Sequence, residues 1–165
     1  MKFLLLITLL INVSYAKIIE LSLDDKNKTG LIVFDINRDI DLVMKDILNL
    51  EAYPQNIEDV KKLTIYESSR NKIKAQIHIS TFFIDFDNNV IHDIDKKNYT
   101  ITWHLDGSKK NYFLVMQGSW KLKKIKEGTR VYYKNHLEFK TWVPGFFESY
   151  LLKKGILKST QWLDK

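Results

Sequence analysis

The sequence contains no cysteine, which excludes disulfide bonds, thiolate metal sites and a lipid-modified N-terminus. Proline and glycine are scarce, with 2 and 6 occurrences, and with 13% aromatic residues this is not the composition of a disordered chain. We find no His, Asp and Glu cluster with metal-site spacing, no nucleophile elbow and no glycine-rich phosphate loop. The sequence therefore gives no positive signal for an enzyme, and we assign no catalytic residue, no metal ligand and no cofactor.

The chain also lacks an apolar run long enough to span a membrane. The run at residues 3–13 has about 11 residues, whereas a spanning helix needs about 20. Lys2 precedes this run and the small residues Ser14 and Ala16 close it, as in a secretory signal peptide cleaved after Ala16. A buried strand or a retained membrane anchor is the alternative. We expect residues 1–16 to be a signal peptide and the protein to be periplasmic or secreted.

The remainder, residues 17–165, has the length of one domain, and 45% hydrophobic residues over the whole chain suffice for a core. The formal net charge is +6, and loss of Lys2 with the signal peptide leaves +6 − 1 = +5. In an exported protein this charge faces anionic membrane or acidic small molecules, and we expect no nucleic-acid partner. A solvated basic surface is the alternative.

Alternation of apolar and polar residues predicts a hairpin over residues 17–36 and about six strands between residues 60 and 140. The clearest pair is 114–124 and 130–140, joined by a short turn that contains Gly128. Because turns and not helices join the later strands, the pattern indicates an antiparallel meander and an α+β fold.

Two short helices are predicted between the hairpin and the meander. Ile40, Val43 and Ile47 recur at helical spacing after a cap at Asn37 or Asp39. Pro54 ends that helix, and a single turn follows.

The last helix, predicted from residue 144 to about 163, has two apolar sectors. One contains Phe146, Phe147, Tyr150, Leu151, Leu157 and Trp162, and the other contains Leu152, Ile156 and Leu163. A helix that only covers a sheet has one apolar face. We therefore interpret this helix as the movable wall of a cavity, with its second sector as the functional face.

Several short motifs occur in a characteristic order. They are Asp46, Tyr53-Pro54, Val60 at the start of a strand, Gly118-Ser119-Trp120-Lys121-Leu122, Gly128-Thr129-Arg130-Val131-Tyr132-Tyr133 and Pro144-Gly145-Phe146. In this order they resemble the START-like helix-grip (SRPBCC) superfamily, most closely its polyketide cyclase/dehydrase and coenzyme Q-binding branch. The resemblance covers residues 31–163. It implies a curved antiparallel sheet of about seven strands around a long C-terminal helix, with two short helices after the first strand and an apolar cavity for a hydrophobic molecule.

Three polar residues, Asn88, His92 and Asn135, lie in phase with the apolar faces of their strands. Buried polar groups without partners are costly, so these side chains are candidates to orient a ligand. The alternatives are that a register shift turns these side chains outward, that they pair with one another, or that they lie at a solvent-exposed strand end. The full candidate ligand-binding set is Asn88, His92, Trp103, Trp120, Tyr133, Asn135, Phe146 and Tyr150.

Two apolar loops, at residues 82–83 and 142–147, are candidates for a portal or a membrane-contacting lip, with burial in the core as the alternative. Together these observations predict an exported protein that holds a lipid or prenyl quinone between sheet and helix, with peripheral contact to anionic membrane as an added possibility. The alternatives are a cyclase/dehydrase-like enzyme with His92 as general base, and a membrane-associated domain that binds a protein partner.

Overall fold

The computed structural model describes residues 16–81 and 84–164. Residues 1–15 of the expected signal peptide and the Phe82–Phe83 pair lie outside the described residues. In the described part, eight antiparallel strands form one curved, unclosed sheet in the order β1-β2-β8-β7-β6-β5-β4-β3. Their bounds are Lys17–Asp24 (β1), Thr29–Ile36 (β2), Val60–Ser68 (β3), Lys72–Thr81 (β4), Ile84–Asp95 (β5), Thr100–Leu105 (β6), Phe113–Ile125 (β7) and Gly128–Phe139 (β8).

The helices lie where the sequence places them. They are Ile40–Leu48 (α1), Tyr53–Asn56 (α2) and Gly145–Gln161 (α3), with 3-10 turns at Leu50–Ala52 and Trp162–Asp164. Asp39 caps α1, since its side chain accepts a hydrogen bond from the Asp41 amide at 2.9 Å. None of the helices in the described part of the chain is long and apolar enough to cross a membrane.

Two details of the implied architecture are corrected. The sheet has eight strands and not about seven, and the short helices follow the second strand and not the first. The additional strand is β1, which pairs only with β2 at one edge of the sheet and is exposed along most of its length. The alternation of apolar and polar residues predicts this strand as the first half of the hairpin over residues 17–36, whereas the resemblance implied only about seven strands.

The core lies between the concave face of the sheet and the helices α1 and α3. Val43 and Ile47 of α1 are 0% and 1% exposed, and Leu152 and Ile156 of α3 are 4% and 0% exposed. Phe86, Phe113 and Phe139 form a second, smaller cluster. The sheet therefore holds α3 through the sector that contains Leu152, Ile156 and Leu163.

This arrangement overturns the assignment of that sector as the functional face of α3. Gly30 of β2 explains the contact, because a Cβ atom placed on it would lie 1.9 Å from Ile156 Cδ1. The missing side chain makes room for Ile156 against the sheet, and the second sector becomes core. The other sector is divided: Phe146 and Tyr150 are 79% and 48% exposed, whereas Leu151 lines the cavity and Trp162 is buried in the core.

Candidate functional site

An apolar cavity lies between the sheet and α3, with a volume of about 170 Å³. Most of its lining is apolar or aromatic. From the sheet it includes Ala75, Ile77, Ile79, Phe86, Val90, His92, Trp103, Phe113, Met116, Trp120, Tyr133, Asn135 and Leu137, and from α3 it includes Leu151, Lys154, Gly155, Lys158 and Ser159.

One row of residues crosses the sheet beneath this cavity. His92 pairs with Trp103, Trp103 with Gly118, and Gly118 with Asn135, so four neighbouring strands contribute one residue each. A Cβ atom on Gly118 would lie 2.4 Å from Trp103 Cζ2 and 2.2 Å from the Lys134 carbonyl oxygen. The Trp103 indole thus occupies the space above Gly118. His92 and Asn135 lie on the strands that flank this Trp103–Gly118 pair.

His92 contributes a neutral imidazole to the cavity wall. Its Nδ1 is enclosed and has no hydrogen-bond partner among the described residues. Burial lowers the pKa of His92 to about 4, and a backbone hydrogen bond with Ile73 only partly opposes this effect. The ring is therefore uncharged at neutral pH.

Asn135 contributes the second polar group of the lining. Its Oδ1 is enclosed and also lacks a hydrogen-bond partner in residues 16–81 and 84–164. An unpaired buried acceptor costs on the order of 1 to 3 kcal/mol. Rotation of the amide by about half a turn exchanges its oxygen and nitrogen with little change in shape. Asn135 can therefore offer a donor or an acceptor to a molecule in the cavity.

Asn88, by contrast, does not line the cavity. It is 0% exposed, and its Oδ1 accepts hydrogen bonds from the backbone amides of Tyr112 at 2.9 Å and Phe113 at 3.4 Å. The sequence predicts that Asn88 faces inward. It does not reveal that the hydrogen-bond partner of Asn88 is the backbone at the start of β7. Its role is to fix the β6–β7 connection.

Of the aromatic candidates, Trp103, Trp120 and Tyr133 line the cavity. The Trp120 and Tyr133 rings have centroids 4.2 Å apart. Phe146 and Tyr150 do not line it, because the outer side of α3 carries both. Their placement follows from the packing of Ile156 on Gly30, which sets the rotation of the helix.

The sequence reasoning missed the charged groups at one end of the cavity. Lys158 Nζ lies 2.9 Å from Asp59 Oδ1 and also contacts Glu58, and Lys154 Nζ lies 3.7 Å from Asp59 Oδ2. Lys158 holds the pKa of the Glu58 carboxyl below its usual value. These ion pairs join α3 to the segment before β3. The only signal was the interruption of the apolar sector of α3 by two lysines.

Tyr53, which belongs to the Tyr53-Pro54 motif, also lines the cavity. Its hydroxyl donates a hydrogen bond to the Ile47 carbonyl at 2.7 Å, and burial strongly raises its pKa. The Tyr53 ring also contacts Trp162, with centroids 5.7 Å apart. Tyr53 thus ties α2 to α1 and to the end of the chain at the edge of the cavity.

The low pKa of His92 predicts a loss of stability in mild acid. In the unfolded chain the pKa is near 6.5, so between pH 6.5 and 4 the unfolded state binds a proton that the folded state does not. The stability that the buried, uncharged His92 contributes to the folded state is therefore fully present above pH 6.5, and it is lost as the pH falls to 4. It amounts to on the order of 3 kcal/mol.

Urea unfolding of wild type and His92→Phe from pH 7.5 to 4 measures this effect. We expect the free energy of unfolding of the variant to fall less over this interval. Parallel curves for the two proteins would contradict the assignment of a buried neutral His92.

No family model and no curated protein matches the sequence, but many solved structures match the fold. The Zhui aromatase/cyclase from Streptomyces sp. R1128 aligns with a TM-score of 0.67 at 10% identity, over 82% of this chain and 89% of that one. A STAR-related lipid transfer protein from Xanthomonas axonopodis gives 0.66 at 15%, over 88% and 96%. A START superfamily protein from Mycobacterium smegmatis gives 0.68 at 13%, over 82% and 92%.

The chain has the START-like helix-grip fold. In this fold the curved sheet packs around α3, as the resemblance implied. The cavity described above lies between these two parts of the fold. At these identities the likeness concerns the fold, so the chemistry of the cavity must be argued from its own residues.

Proposed function

We propose that this protein binds a hydrophobic small molecule in the cavity between the sheet and α3. The observation that carries the proposal is an apolar cavity whose wall holds two unpartnered polar atoms, His92 Nδ1 and Asn135 Oδ1. Natural ligand sites combine an apolar lining with a few polar groups of this kind. Among the neighbours in fold, one is named a lipid transfer protein and one an aromatase/cyclase, which supports a hydrophobic ligand for this cavity.

Binding explains His92 better than catalysis does. A general base is most effective when its pKa is near the working pH, whereas the pKa of His92 is about 4. A polyketide cyclase/dehydrase-like reaction in the same cavity remains the second candidate, since it would use the same lining.

We also propose that the protein is exported and that its ligand is a lipid or a prenyl quinone. The arrangement of Lys2, the apolar run at residues 3–13 and Ala16 supports a secreted or periplasmic carrier. The aromatic lining, with Trp103, Trp120 and Tyr133, suits a lipid or a prenyl quinone.

The experiment uses the chain from residue 17 onward after extraction with organic solvent. A short-chain quinone should quench the fluorescence of Trp103 and Trp120 saturably with a stoichiometry of one. Mass spectrometry of the extract should show a defined hydrophobic molecule. A linear, unsaturable quench together with an extract free of any specific compound would refute the carrier function.

We further propose that the carrier contacts anionic membranes through exposed aromatic residues at the start of α3. Trp142 is 86% exposed, Phe146 79% and Tyr150 48%. Lys153 is exposed on the following turn, and the chain without residues 1–16 has a net charge of +6 − 1 = +5. Aromatic side chains beside basic charge are suited to the headgroup region of an anionic bilayer.

Sedimentation with phosphatidylglycerol vesicles tests this contact. Because burial of a large aromatic side chain contributes about 1.5 kcal/mol or more, Trp142→Ser should reduce partitioning about tenfold. Leu42→Ser, which changes an apolar residue 53% exposed on α1, is the matched control. Equal partitioning of the two variants would contradict a specific contact through Trp142.

A further inference from the structure

The polar groups of the cavity differ in a way that bears on the chemistry of the ligand. Some of these groups have hydrogen-bond partners. The Tyr53 hydroxyl donates to the Ile47 carbonyl, and the Thr81 hydroxyl lies 3.3 Å from Asp59 Oδ2. In the cavity lining, two enclosed atoms, His92 Nδ1 and Asn135 Oδ1, have no partner in the described part of the chain, and both belong to uncharged groups. A molecule in the cavity satisfies them with hydrogen bonds and not with charge.

The charged groups of the lining lie together, in a region separate from His92 and Asn135, and their opposite charges pair with one another. Lys158 contacts both Asp59 and Glu58, and Lys154 contacts Asp59 and lies 3.3 Å from Thr81 Oγ1. Asp59 is thus the carboxylate partner of both ammonium groups within the lining, and Glu58, which lies outside the lining, is a second partner of Lys158. An anionic ligand head would have to compete with Asp59 and Glu58 for the same cations, and a buried anion without a counter-charge is strongly disfavoured.

The row that carries the unpartnered atoms is well suited to an uncharged head group. The Trp103 indole lies over Gly118, and the Asn135 strand is directly beside it, so a flat apolar surface adjoins the Asn135 amide. A hydroxyl group both donates and accepts a hydrogen bond, so it can pair with this amide in either orientation. A carboxylate only accepts hydrogen bonds and brings a charge.

Provided that the cavity binds hydrophobic molecules as proposed above, we propose that it selects uncharged, hydroxyl-bearing ligands such as long-chain alcohols or phenols over the corresponding carboxylates. Asn135 is the principal recognition residue, and His92 supports it from the other side of Trp103. The proposal deepens the carrier function by naming the class of head group.

Calorimetric titration of the solvent-extracted protein with 1-octanol and with octanoate at pH 7.5 tests the proposal. The two probes share a chain length and differ in the charge of the head group. We expect 1-octanol to bind at least about tenfold more tightly, the ratio that corresponds to one net hydrogen bond. Octanoate bound as tightly as 1-octanol would overturn the selectivity while leaving the carrier function in place. Failure of both probes to bind would count against the carrier function itself.

Variants separate recognition by Asn135 from a general preference for neutral molecules. Asn135→Leu, close in size but apolar, should lower the affinity for 1-octanol about tenfold and leave that for octanoate unchanged. Gln117→Leu is the control, since Gln117 pairs with His136, one residue out of phase with Asn135, and its side chain is therefore on the opposite face of the sheet, where its Nε2 lies 3.2 Å from His136 Nδ1. His92→Phe provides a second test, with a smaller loss expected. Unchanged affinity for 1-octanol in the folded Asn135→Leu protein would overturn the assignment.

Discussion

Gly155→Leu should abolish ligand binding while the protein remains folded. Gly155 lines the cavity from α3, and a Cβ atom placed on it meets nothing within 4 Å. A leucine side chain at this position therefore extends into space that the ligand needs. We expect the affinity for a bound quinone or alcohol to fall at least about a hundredfold, or about 2.7 kcal/mol.

The same substitution at Gly145 is the matched control. Gly145 is also in α3 and its added Cβ also meets nothing within 4 Å, but Gly145 does not line the cavity. Gly145→Leu should bind ligand as wild type does. Gly155→Ala should raise the free energy of unfolding by about 0.5 to 1 kcal/mol, because alanine favours the helix over glycine. Tight binding retained in Gly155→Leu would show that the ligand occupies another site.

Gly118→Ala is expected to destabilise the protein more than any other single methyl addition proposed here. The new Cβ would lie 2.2 Å from the Lys134 carbonyl oxygen and 2.4 Å from Trp103 Cζ2. The first contact is with the backbone of β8 and cannot be relieved by a side-chain rotation. Overpacking typically costs about 1 to 3 kcal/mol, and a clash with the backbone places Gly118→Ala at the upper end of this range, about 3 kcal/mol. For a chain of this length, that lowers Tm by roughly 10 °C.

Thermal unfolding followed by circular dichroism measures this loss, with Gly107→Ala as the control because its Cβ meets nothing within 4 Å. The near-ultraviolet spectrum should also change in Gly118→Ala, since the Trp103 ring must move from its place above residue 118. A Tm close to that of wild type would mean that the sheet is more open at this row than described.

The strands could be predicted because their evidence is local. In β7 and β8, alternating residues face the core, and a two-residue turn at Lys126 and Glu127 joins them, close to the predicted linker. Gly128 has φ +117°, a conformation that favours glycine, which agrees with the turn expected there. The inward phase of His92 and Asn135 followed from the same alternation, and both residues line the cavity.

The sequence by itself determined which residues share a face of each element, and its motif order indicated the fold. Only the tertiary structure decided what each face meets. Periodicity places Ile156 and Phe146 in two apolar sectors of α3, yet the contact of Ile156 with Gly30 made one sector core and left Phe146 exposed. Likewise, Asn88 and Asn135 have the same inward phase, but backbone amides at the start of β7 donate to Asn88 Oδ1, whereas Asn135 Oδ1 is left for a ligand. Such differences arise because periodicity reflects spacing along one element, whereas a site depends on contacts between elements far apart in the chain.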